Sequence, residues 1–96
     1  MHAVVRTYSG QGARALFDML EERRAELESM IRSVLGFKAY MVLRTEDGGI
    51  TVTVCYDKTG TDESLQLVRN WIAENAPELG VNPLSVSEGT ALLHLS

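Results

Sequence analysis

The stretch YMVLRTEDGGITVTVCY, residues 40–56, decides the fold of this chain. Two runs of β-favouring residues flank the segment Asp47-Gly48-Gly49. Asp-Gly and Gly-Gly supply the positive φ angles that a two-residue type I′ turn requires. The stretch therefore predicts a β-hairpin whose two strands meet at this turn.

The hairpin register divides the side chains between two faces of the sheet. With a two-residue loop, odd-numbered residues of the first strand lie beside even-numbered residues of the second strand. One face is then apolar, and it carries Met41, Leu43, Ile50, Val52, Val54 and Tyr56. The other face is mixed, and it carries Tyr40, Val42, Arg44, Thr51, Thr53 and Cys55.

Four further elements follow from the patterning on either side of the hairpin. Residues 2–8 are rich in β-branched side chains and predict a first strand. Residues 13–34 place apolar side chains at spacings of three, four and seven, which predicts one long helix. Residues 62–75 predict a second helix, and the last strand falls within residues 84–95.

The resulting order, β-α-β-β-α-β, predicts a single domain spanning residues 1–96 with an α+β, ferredoxin-like fold. Its four-stranded antiparallel sheet would carry both helices on one face. We expect the apolar face to meet the helices, with Ala3, Val5, Met41, Leu43, Ile50, Val52, Val54, Leu93 and Leu95. The open face would then hold His2, Val4, Arg6, Tyr8, Tyr40, Val42, Arg44, Thr51, Thr53, Cys55, Thr90, Leu92 and His94.

Composition excludes several classes of function. The net charge is −4 and the arginines are scattered among acidic residues, which argues against a nucleic-acid surface. A single cysteine, Cys55, fits a reducing compartment. Neither a signal-peptide core nor an apolar run of about 18 residues is present, so we expect a cytoplasmic protein with no membrane partner.

A chain of this length and element order, with a long first helix and a semi-apolar open sheet face, resembles the dimeric α/β-barrel superfamily. That superfamily includes antibiotic-biosynthesis-monooxygenase-like proteins, haem-degrading monooxygenases and stress-responsive barrel proteins. The resemblance implies a homodimer in which two subunits pair their open sheet faces. It also implies a small organic ligand bound in or beside the barrel.

The open face gathers the candidate site. Tyr8, Tyr40, Arg6 and Arg44 would hold a planar, oxygen-bearing ligand, and His94 would transfer a proton near neutral pH. A cofactor-independent oxygenase needs such a base, cationic donors and an apolar pocket. The competing interpretation is that these side chains are only the polar part of a dimer interface, where Tyr and Arg are enriched. The sequence does not distinguish an enzyme from the alternative, a non-catalytic ligand-binding or self-association module.

No metal or cofactor site is predicted. His2 and His94 are expected at one edge of the sheet, but zinc sites need three or four protein ligands, and no carboxylate at ligand spacing completes the set. Nothing local marks His94 as a haem ligand. The sequence also carries no dinucleotide or phosphate-loop motif, so no cofactor is expected.

Overall fold

The computed structural model describes residues 1–10, 12–79 and 82–95. Its strands and helices are β1 (His2–Ser9), α1 (Ala13–Glu22), α2 (Arg24–Arg32), β2 (Phe37–Thr45), β3 (Gly48–Cys55), α3 (Lys58–Asn75) and β4 (Ser85–Thr90), with a 3₁₀ turn at Pro77–Leu79 before β4. The strands form one antiparallel sheet in the order β2-β3-β1-β4. The predicted ferredoxin-like α+β fold is confirmed. No helix of the described ranges is long and apolar enough to cross a membrane.

The hairpin has the predicted register but not the predicted turn. Leu43 pairs with Ile50, which puts both on one face as expected. The two-residue loop is Glu46-Asp47, however, and no non-glycine residue of the described chain has a positive φ angle. Gly48 and Gly49 lie inside β3. The prediction that these glycines form a type I′ turn was therefore wrong.

Position 49 requires a glycine because α1 lies directly over it. A Cβ atom at this position would collide with the aromatic ring of Phe17 and would lie 2.6 Å from the carbonyl oxygen of Leu43. Phe17 is itself buried in the core, where side chains are closely packed. The glycine therefore permits close approach of a helix to a strand.

The predicted first helix is interrupted at Arg23, whose φ of −108° and ψ of 29° leave the helical region. The Arg23 guanidinium donates to Glu26 and Asn75 and lies 5.2 Å from the ring of Trp71. These contacts tie the junction of α1 and α2 to α3. The apolar stripe survives the break, because both helices bury it against the sheet: Leu16, Phe17, Leu20, Leu27 and Ile31 form the core cluster.

Helix α3 begins four residues before the predicted start. Asp57 is the N-cap, and its carboxylate accepts a hydrogen bond from the backbone N–H of Gly60 at 3.2 Å. Thr61, which directly precedes the predicted start at residue 62, is instead a buried residue within the first turns of the helix.

The assignment of the two sheet faces was wrong. The mixed face packs under the helices, because Val4, Thr53 and Cys55 are buried there. The apolar face is open, with 53% of Met41 and 42% of Leu43 exposed. The rule that the more apolar face meets the helices assumes that the other face meets water. An open face that a partner covers does not meet water, so it can be the more apolar of the two faces.

The last strand lies within the predicted residues 84–95 but covers only part of them. β4 ends at Thr90, and its pairing with β1 is continuous from Ser85 to that residue. Leu93, His94 and Leu95 therefore lie beyond the sheet, exposed, and not on the faces expected for them.

Candidate ligand-binding site

A cavity lies between the sheet and the two helices α1 and α3. Its inner chamber has a volume of about 30 Å³. The floor is polar and comes from three strands, with Arg6, Tyr8, Tyr40, Thr51 and Thr53. The roof is mostly apolar and comes from the helices, with Leu16, Leu20, Ser64, Leu65, Val68 and Ile72.

An outer chamber of about 160 Å³ adjoins the inner one and shares Arg6, Tyr8 and much of the apolar roof with it. Its outer wall combines the polar residues Asp62, Arg69, Asn82 and Glu88 with the apolar residues Pro83 and Val86. We call the two chambers together the central cavity. A cavity of about 150 Å³ is large enough to bind benzene, so the outer chamber has room for a ligand with one ring.

The two tyrosines of the floor stay protonated. Burial raises the pKa of Tyr40 to about 12, an effect that Tyr8 reinforces and the charge of Arg6 partly offsets. Burial also raises the pKa of Tyr8, against the nearby charges of Arg6 and Arg69. The ring of Tyr8 packs edge-on against Phe17, with 5.6 Å between the ring centroids. Both phenols are therefore held as neutral hydrogen-bond donors or acceptors.

Arg44, the fourth predicted ligand-binding residue, lies elsewhere. It borders a groove along the outer edge of β2, beneath α1 and α2. Its guanidinium forms ion pairs with Asp18 at 3.0 Å and Glu21 at 2.9 Å. The charge of Arg44 is therefore already matched by the protein. The groove continues past Tyr40 and Val42 into an open space of about 420 Å³.

His94, the predicted proton-transfer residue, lies beyond β4 in an exposed segment. It is not among the described residues that line the central cavity or the β2 groove. His2 lies in β1, where its Nε2 atom is 2.8 Å from a carboxylate oxygen of Glu88. Within residues 1–10, 12–79 and 82–95, no group of three or more His, Cys, Asp or Glu side chains is arranged to hold a metal ion.

Of the five predicted site residues, the structure brings three together: Arg6, Tyr8 and Tyr40 all face the central cavity. They do so under the helices and not on the open face. The apolar stripe of α3, Leu65, Val68 and Ile72, marks the facing wall and was visible in the sequence. The hairpin register had already put Thr51 and Thr53 on the same face as these residues, although neither was predicted as a site residue. Burial raises the pKa of the Cys55 thiol, which fits a packed side chain and not a nucleophile.

Comparison with known proteins gives likeness at the level of three-dimensional structure. Neither a family model nor a curated protein matches the sequence. A variant of MhuD with two manganese protoporphyrin IX molecules bound per active site superposes with a TM-score of 0.63 at 18% identity, over 99% of this chain and 97% of that one. A dimeric ferredoxin-like protein from an uncultured marine organism gives 0.63 at 11% identity, covering 99% and 95%.

A third structurally similar protein is described as an enzyme. A variant of SnoaB, a cofactor-independent oxygenase from Streptomyces nogalater, superposes with a TM-score of 0.56 at 16% identity, over 98% of this chain and 93% of that one. Identities this low establish the fold alone. The chain therefore has the ferredoxin-like α+β fold of these small proteins, and the resemblance expected from its element order is confirmed at that level.

The described walls of the central cavity do not fit a haem group. Haem iron is held by His, Cys, Met or Tyr side chains. The described walls of the central cavity contain no His, Cys or Met, and their two tyrosines have raised pKa values that disfavour the phenolate form. The central cavity is also far smaller than the roughly 300 Å³ of a usual ligand pocket.

Proposed function

We propose that this protein is a homodimer that binds a small organic molecule in the central cavity of each subunit. The observation that carries the proposal is the composition of that cavity, in which neutral phenol and hydroxyl groups face apolar helical side chains. Small-molecule sites typically combine apolar walls with a few placed polar groups. Arg6, Tyr8 and Tyr40 are the ligand-binding residues of this proposal.

The chemistry best matched to such a cavity is oxidation by molecular oxygen without a cofactor. In that reaction an activated CH₂ group of the substrate becomes C=O, and the second oxygen atom leaves as water. The substrate then supplies all four electrons, so the protein has to remove a proton from the substrate, bind the resulting electron-rich anion and exclude bulk water. The similarity in fold to a cofactor-independent oxygenase supports this class.

A non-catalytic binding module is the second candidate, and one observation favours it. The inner chamber contains no described carboxylate or histidine that would act as a base, and its tyrosines have raised pKa values. Under this alternative the ligand binds and leaves unchanged. The two candidates share the cavity and differ only in turnover.

Binding is tested by titrating ¹⁵N-labelled protein with single-ring aromatic compounds and following the amide shifts of Thr51 and Thr53. Val68→Phe should abolish the shifts, because Val68 lines both chambers and the larger side chain occupies the space. Ala73→Phe is the matched control, since this exposed residue lies on the same helix. Equal binding by both variants would move the ligand out of the central cavity.

Turnover is tested with an oxygen electrode and electron-rich, enolisable ring compounds. Oxygen uptake that Val68→Phe removes would support the oxygenase, whereas binding without uptake would support the module. Catalysis by His94 is proposed from the sequence alone. His94→Ala should cut the uptake sharply if that residue is the base, and unchanged uptake would remove it from the mechanism.

The dimer is proposed from the open face of the sheet. Met41 and Leu43 are substantially exposed there, and Val5, Ile50 and Val52 extend the same apolar surface. Contiguous apolar surface of this kind marks protein interfaces in soluble proteins. One structurally similar protein is described as dimeric, which supports a second copy as the partner.

Light scattering coupled to size exclusion tests the dimer. Replacing both Met41 and Leu43 by Lys should give a folded monomer, because two charges would face the partner's apolar sheet. Leu35→Lys is the control, since this apolar residue is 90% exposed and lies outside the sheet. A monomeric wild-type protein would contradict the proposal.

A further inference from the structure

Arg6 is a buried cation that the described protein does not neutralise. Only 7% of its surface is exposed, yet it takes part in none of the ion pairs or side-chain hydrogen bonds formed among the described residues. Arg44 and Lys58, by contrast, each contact two carboxylates. Burial of an unpaired charge is strongly unfavourable, so proteins normally pair such a group.

The guanidinium opens into the central cavity. Arg6 lines both chambers. No fully enclosed side-chain nitrogen or oxygen of the described chain lacks a hydrogen-bond partner, so the free N–H groups of Arg6 must reach the cavity space. A guanidinium in this position presents several N–H donors in a fixed plane, which matches a carboxylate or another delocalised oxyanion.

The acidic residues nearby are already engaged. Asp62 and Glu88 line the outer chamber, but the ammonium group of Lys58 lies 3.2 Å from a carboxylate oxygen of each. Glu88 also contacts His2. Arg69 adds a second cation at the same outer wall. The charge left uncompensated in the cavity is therefore positive.

The other floor residues suit an anion as well. Tyr8 and Tyr40 keep their protons because burial raises the pKa of each, so both phenols are available as donors. The threonine hydroxyls of the floor add neutral donors. Carboxylates of the protein itself are absent from the described walls of the inner chamber.

We propose that Arg6 is the anion-recognition residue of the central cavity, and that the ligand is a small monoanionic organic acid whose ring or chain packs under α1 and α3. The acid group would accept hydrogen bonds from Arg6 and from the Tyr8 and Tyr40 phenols. The inference rests on the proposed function, since it names the chemical class of ligand that the same cavity takes.

Benzoate and its uncharged counterpart benzamide test the proposal, because they share one ring and differ in charge. By NMR titration at low salt, benzoate should bind the wild-type protein at least tenfold more tightly than benzamide. Arg6→Met should remove that preference and leave benzamide binding within about twofold. Arg44→Met is the matched control and should change neither, because Arg44 lies outside the central cavity.

The thermal stability of Arg6→Met checks the premise independently. Removal of an unpaired buried charge should raise the Tm of the ligand-free protein, whereas removal of a structural cation would lower it and overturn the proposal. Equal binding of benzoate and benzamide to wild-type protein would overturn the role of Arg6 while the proposed small-molecule site stands. Binding of neither compound would overturn both.

Discussion

The contact between Gly49 and Phe17 gives the sharpest test of how the helices lie on the sheet. In Gly49→Ala, the new methyl group would lie 2.6 Å from the Leu43 carbonyl oxygen and inside the contact distance of the Phe17 ring. Ordinary carbon contacts begin near 3.4 Å, so the ring has to move by about 1 Å within a packed core. Phe17 is only 2% exposed, and its neighbours would have to move with it.

The expected loss follows from that displacement. Overpacking a core costs about 1–3 kcal/mol, and the blocked ring places Gly49→Ala at the upper end of this range. A loss of about 3 kcal/mol corresponds to a fall in Tm of roughly 12–24 °C for a domain of this size. Gly89→Ala is the control, because a methyl group there meets nothing within 4 Å, and replacing a compatible glycine usually stabilises by about 0.4–1 kcal/mol.

Urea denaturation followed by far-UV circular dichroism measures both variants at one protein concentration. Gly49→Ala should lower the midpoint and leave the m-value unchanged, as expected for a native state that is strained but unfolds in the same way. A Gly49→Ala protein within about 0.5 kcal/mol of wild type would refute the packing of α1 on the mixed face of the sheet. Equal losses at Gly49 and Gly89 would point to a general backbone effect instead.

Two further variants probe the core and the strand edge. Leu27→Ala should lower the free energy of unfolding by about 2–5 kcal/mol, because Leu27 is buried. Leu35→Ala changes a largely exposed residue and should stay within about 0.5 kcal/mol of wild type. Similar losses for both variants would contradict the assignment of Leu27 to the core. Hydrogen bonds with His2 and Lys58 lower the pKa of Glu88 in the folded protein. The ionised carboxylate therefore stabilises the fold at a pH above the ordinary glutamate pKa of about 4.3. This stabilisation is lost as the pH falls from that value through the lowered pKa of the folded state. Melting curves of Glu88→Gln should accordingly depend less on pH than those of wild type between about pH 5 and pH 3, and superimposable profiles would rule out this contribution.

The local elements of this protein were determined by its sequence. Alternation of side chains set the strands of the hairpin, and the apolar spacing from Leu16 to Ile31 set the buried side of the first helical region. These patterns act between residues that are close along the chain, so they survive without knowledge of the tertiary structure. The order of the elements then left few topologies, and the ferredoxin-like arrangement was among them.

Local interactions did not reveal why two glycines follow Asp47. Adjacent glycines favour a turn, and nothing within the hairpin sequence shows that Phe17 requires the space above Gly49. The same limit applies to Arg23, whose break in the helix is accompanied by contacts with Trp71 and Asn75 on α3. Contacts between residues far apart in sequence override local preference at such points.

Which face of the sheet meets the helices was decided only by the tertiary structure. The polarity pattern distinguishes two faces, but it does not say which one the helices cover when the open face is itself apolar. For that reason the sequence grouped Arg6, Tyr8 and Tyr40 correctly and placed them on the wrong side. The absence of a carboxylate beside Arg6 in the described chain is likewise a property of three-dimensional packing, because the acids of Asp62 and Glu88 are drawn to Lys58.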